Sequence, residues 1–108
     1  MDVELQVIPD CPYAGSAQEL LRGALDDIGL GHIVVRTTIV ATDEDAHKIG
    51  FVGSPTFVVD GHDLFAEAGA TPAVTCRLYR ANGGVAPLPE PSRLRQELRR
   101  ATAGPPLI

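Results

Sequence analysis

The chain is expected to fold as an α/β domain, a small mixed sheet with helices on both faces. Three observations lead there. Short branched segments with strand alternation are interleaved with stretches of helical period. The first two strands are joined by a long helix, which requires a parallel, right-handed crossover. A composition of 44% hydrophobic and 21% charged residues over 108 positions is that of one globular domain. The domain is expected to span residues 1–104, with a tail at 105–108 after the helix-stopping Gly104-Pro105.

In Val3 to Ile8, Val3, Leu5 and Val7 alternate with Glu4 and Gln6, as in a short strand. Ala17, Leu20, Leu21, Ala24, Leu25 and Ile28 then form the stripe of an amphipathic helix. Pro12 suits its first position, where no N–H is needed, and Gly29 and Gly31 stop it. Ile33 to Val40 is a second strand, rich in Ile, Val and Thr. Thr42-x-x-Asp45 resembles a capping box for a short helix that ends at Gly50. Thr56 to Asp60 is a third strand, and Asp60-Gly61 signals a hairpin back through His62 to Phe65.

Residues 71–79 admit two readings. Thr71-Pro72 suits a helix start, with Asn82-Gly83 as its stop. The alternation of Val74, Cys76 and Leu78 suits a strand and is preferred. Pro87, Pro89 and Pro91 make an extended connection. A last helix starts near Ser92, with Leu94, Leu98 and Ala101 inward and its arginines largely outward.

The net charge is 9 − 14 = −5. A nucleic-acid or membrane-surface binder needs a basic face, so neither partner is expected. No apolar run approaches the ~18 residues of a membrane span, and residues 1–4 do not resemble a signal peptide, so a cytoplasmic location is expected. Two cysteines are too few for a disulfide scaffold. If either matters, it matters as a thiol.

Cys11 is the sharpest feature. It is expected between a strand and a helix that opens at Pro12, where amide donors and the helix dipole favour a thiolate; Asp10 opposes this. A buried, inert cysteine at a strand end is the competing reading. Pro55, opening a strand after Gly53-Ser54, is a candidate cis bond. Tyr13 either flanks the thiol or lines a partner groove. His32, His47 and His62 lack metal-ligand spacing, and no cofactor is expected.

Together, Cys11-Pro12-Tyr13-Ala14 before a long helix and Gly53-Ser54-Pro55-Thr56 before a strand resemble the thioredoxin-fold superfamily. The resemblance implies that Cys11 is the nucleophile. It implies that Pro55 is the cis-proline beside it, with Ser54, Pro55 and Thr56, together with Pro12 and Tyr13, contacting substrate. With Cys76-Arg77-Leu78-Tyr79, the pattern looks more narrowly like small bacterial thioredoxin-like proteins often labelled alkylmercury lyase. Ala14 stands where the motif's second Cys would be, so a dithiol cycle cannot run within the motif.

Cys76 is then a candidate resolving thiol or second soft ligand, against the alternative of a buried half-strand cysteine. Three functions follow. The first is a thiol redox protein acting on a protein or low-molecular-weight thiol or disulfide. The second is a non-catalytic module that binds a partner beside Pro55. The third is mercury handling by Cys11 and Cys76.

Overall fold

A computed structural model describes residues 1–81 and 83–102, so the expected boundary at 104 and the tail at 105–108 lie outside the described residues. Its order is β1 (Val3–Val7), α1 (Ala14–Asp27), β2 (Val35–Ile39), α2 (Asp43–Ile49), β3 (Thr56–Val59), β4 (His62–Asp63), β5 (Tyr79–Ala81), β6 (Gly84–Ala86) and α3 (Pro91–Thr102). The main sheet runs β2-β1-β3-β4. β1 pairs parallel with β2, Leu5 opposite Thr37, and antiparallel with β3, Leu5 opposite Phe57. The crossover through α1 accounts for the first pairing.

Strand alternation sorts the two faces. Val3, Leu5, Val7, Phe57 and Val59 form the core with Ala17, Leu21, Ala24 and Leu25 of α1 and with Leu94 and Leu98 of α3. A smaller apolar cluster joins Ala46 of α2 to Val40 and Phe51, with Ile8 and Val74 packed against it. On the face of β1 opposite Val3, Leu5 and Val7, Glu4 is buried in a polar network, accepting from Gln6, Arg36 and Thr38. The opposite face is therefore polar over β1 and β2, with an apolar patch near the end of β1.

Local signals explain most element ends. Thr42 caps α2, its Oγ accepting from the Asp45 amide, and Gly50 closes it in the left-handed conformation (φ 73°). Asp60 and Gly61 have φ of 50° and 81°, as a two-residue hairpin with two positive φ values requires.

Several expectations are corrected. α1 opens at Ala14 with Tyr13 as its N-cap, not at Pro12. Asp10 (φ 55°) turns the chain sharply, the Cys11 amide bonds Ile8 O, and Cys11 O accepts from Ala14 N. This turn occupies the residues expected to begin the helix. Ala101 is exposed; the buried residues of α3 are Leu94 and Leu98. β4 is two residues long, not four.

Residues 71–78 hold no helix. Cys76 makes an isolated parallel bridge to Ser54, and the continuous strand begins only at Tyr79, in an unforeseen hairpin with β6. Asn82, half of the pair expected to stop a helix, lies outside the described residues.

Candidate functional site

Three segments converge at the C-terminal end of β1: the turn carrying Cys11, the loop Gly53–Thr56 and the strap Thr75–Arg77. The loop comes first, because the other two fasten to it. Ser54 is buried, and its Oγ accepts the Ile8 amide at 3.0 Å. Its backbone N–H donates to Thr75 O at 2.8 Å, and its carbonyl accepts from Arg77 N at 2.9 Å. The strap thereby takes up the edge of the sheet beside Ser54, which β4 is too short to reach.

Gly53 makes this approach possible. Its φ is +149°, and a Cβ there would stand 2.7 Å from Arg77 Cβ. Only a residue without a side chain lets the two backbones come so close.

Arg77 fastens the strap. It is buried, and its guanidinium donates to Asp63 Oδ2 at 2.8 Å, to Thr56 Oγ1 at 3.1 Å and to Phe65 O. It also lies 4.9 Å from the centre of the Tyr79 ring. With 8% and 19% of the two side chains exposed, the Arg77–Asp63 pair is largely desolvated. Removing one partner of such a pair costs about 3–5 kcal/mol when burial is complete. The Tyr79 hydroxyl donates to Pro55 O, and its ring meets Phe57 and Phe65 edge-to-face, with centroids 6.0 and 5.2 Å away. Burial holds the Tyr79 phenol protonated well above its usual range; the nearby Arg77 charge opposes this more weakly.

The expected site residues are therefore distributed as follows. Ser54–Pro55 is a cis peptide bond. Ser54, Pro55 and Thr56 are buried, and their polar groups bond within the chain. Their contact with a substrate would require displacement of the strap. Pro12 and Tyr13 are exposed beside Cys11. Cys11 is half-buried against the core, whereas Cys76 is exposed on the strap, and no disulfide joins them.

A short chain of bonds nevertheless links the two thiol-bearing segments. Cys76 bridges Ser54, Ser54 Oγ bonds Ile8 N, and Ile8 O bonds Cys11 N. Sequence reasoning quoted Gly53 and Arg77 as members of motifs without giving either a role, and it missed Asp63. A Gly before Ser-Pro hinted at a close approach, but nothing local pairs Arg77 with Asp63.

Among the described residues, no group of three or more His, Cys, Asp or Glu could hold a metal ion. His32, His47 and His62 are exposed; His47 Nδ1 bonds Asp43 O within its own helix. Among the described residues, no helix is long and apolar enough to cross a membrane. No protein-family model, curated protein or solved structure matches the chain.

Proposed function

We propose that this is a thioredoxin-like thiol redox protein in which Cys11 and Cys76 serve one site. The observation that carries the reading is the node at Ser54, which ties the strap bearing Cys76 to the turn bearing Cys11. Support for the fold comes from the order β2-β1-β3-β4, with β2 parallel and β3 antiparallel to β1 and a Ser-Pro loop opening β3.

In the proposed reaction, Cys11 thiolate attacks one sulfur of a partner disulfide. A mixed disulfide forms, and the partner's other sulfur leaves as thiolate. Cys76 thiolate then attacks Cys11 Sγ and releases the partner's first sulfur, also as thiolate. The partner is reduced by two electrons, and the protein is left with a Cys11–Cys76 disulfide. An external thiol resolves the mixed disulfide where Cys76 is absent. Because the backbone of Ser54 is already paired, a small disulfide reaching Cys11 past Tyr13 suits the geometry better than an extended peptide added beside Pro55.

Oxidised glutathione tests this by intact-mass measurement. The native chain should lose two protons and keep no glutathione. Cys76→Ser should retain one glutathione, on Cys11. A native chain that leaves Cys11 unmodified while Cys76 reacts, or that accumulates two adducts, would overturn the reading.

A further inference from the structure

A second feature lies on the far side of the strap. A cavity of about 240 Å³ opens between the loop after β4, the segment Arg77–Arg80 and α3. Its apolar lining includes Leu64, Phe65, Leu78, Tyr79 and Pro89. The wall is built rather than incidental. Tyr79 and Arg77 are both more than nine-tenths buried and are held by the bonds described above.

The charged rim is unusual for a chain of net charge −5. Arg80 and Arg93 both line this cavity and also an adjoining recess that includes Glu90, so they stand together at the boundary of the two. Both are exposed, and neither pairs with a carboxylate among the described residues. Arg93 moreover occupies the first turn of α3, where the positive end of the helix dipole disfavours a cation, and that turn holds no acid. The two guanidinium groups are thus free of ion pairs with described carboxylates, although Glu90 shares the recess with them.

Two carboxylates also line the cavity. Glu97 faces Arg100 at 3.6 Å, and Glu67 is exposed on the loop. They flank the arginines without pairing to them.

We infer that this cavity binds a small organic anion with a flat apolar body, its charged group held between Arg80 and Arg93. Guanidinium groups suit carboxylate and phosphate oxygens through paired N–H donors and also stack on flat rings. The volume is below the ~300–1,000 Å³ of sites for drug-sized molecules, which limits the body to about one or two rings. The site is independent of Cys11 and does not require the redox reading.

Naphthyl phosphate, naphthoate and naphthol, titrated into the isotope-labelled full chain and followed by amide NMR shifts, test this. At least one of the two anions should bind, shifting the amides of Leu78, Arg80 and Arg93, and naphthol should bind at least tenfold more weakly. The stronger anion identifies the source as a phosphate ester or a carboxylate. Arg80→Ala and Arg93→Ala should each weaken that anion about tenfold, as expected for a lost charge-assisted hydrogen bond. Arg99→Ala, on the same helix but outside the cavity, should not. Equal binding of naphthol, insensitivity to both cavity variants, or equal weakening by Arg99→Ala would overturn the inference.

Discussion

Replacing Gly53 with alanine probes the contact on which the strap depends. The new Cβ would lie 2.7 Å from Arg77 Cβ, 3.1 Å from Arg77 Cα and 3.3 Å from Arg77 N. None of these atoms is the free end of a flexible side chain, so the strap itself must move. Holding an L-residue at φ +149° adds strain of about 1–3 kcal/mol. Backing the strap away lengthens the Ser54–Thr75 and Arg77–Ser54 hydrogen bonds, each contributing about 1 kcal/mol. Alanine restricts the unfolded chain more than glycine does, which returns about 0.4–1 kcal/mol.

The net loss expected is about 2–4 kcal/mol, measured as the change in urea-unfolding free energy. For a domain of this size it lowers Tm by about 8 °C or more. Hydrogen exchange should accelerate more at the Ser54 and Arg77 amides than at Leu5 or Phe57 within the sheet. Gly23→Ala is the control: it lies in α1 with nothing within 4 Å of its added Cβ, and should stabilise by about 0.5–1 kcal/mol. A Gly53→Ala chain within about 0.5 kcal/mol of its parent, the range of an inconsequential surface change, would refute the packing account.

Tyr79 supplies a pH prediction. Its folded pKa is raised above the unfolded value of 10.0, chiefly by burial, so the folded state keeps the phenol proton while the unfolded state releases it. The contribution is intact below pH 10.0 and declines as pH rises from there toward the folded value, by up to about 1.4 kcal/mol per pH unit. Urea midpoints measured across that range should fall for the native chain and fall less for Tyr79→Phe. Equal slopes would contradict the burial. Thr42→Ala removes the hydroxyl that accepts the Asp45 amide at 3.1 Å, and should cost about 1 kcal/mol by chemical denaturation while leaving Cys11 reactivity unchanged.

What the sequence determined by itself was local or periodic. Val3, Leu5 and Val7 marked a buried strand face, and Leu21 and Leu25 marked the helix that covers it. Asp60-Gly61 dictated its hairpin, and Thr42 and Gly50 bounded α2, because those conformations depend on a few consecutive residues. It also singled out Cys11 and the Ser54-Pro55 loop as the places to look. What it left open was where residues 71–79 would lie, since their alternation favoured a strand while their Thr-Pro start still suited a helix.

Tertiary structure decided that question. β4 ends after Asp63, the edge beside Ser54 is left open, and Arg77 finds Asp63, Thr56 and Phe65 O there. Those partners stand 12 to 21 positions away in sequence. The same docking buries the loop expected to face a substrate, sets Cys76 on the segment tied to the Cys11 turn, and shapes the cavity behind Tyr79. Such contacts are selected by the desolvation of one guanidinium and the absence of one side chain at Gly53, and neither effect exists until the distant segments meet.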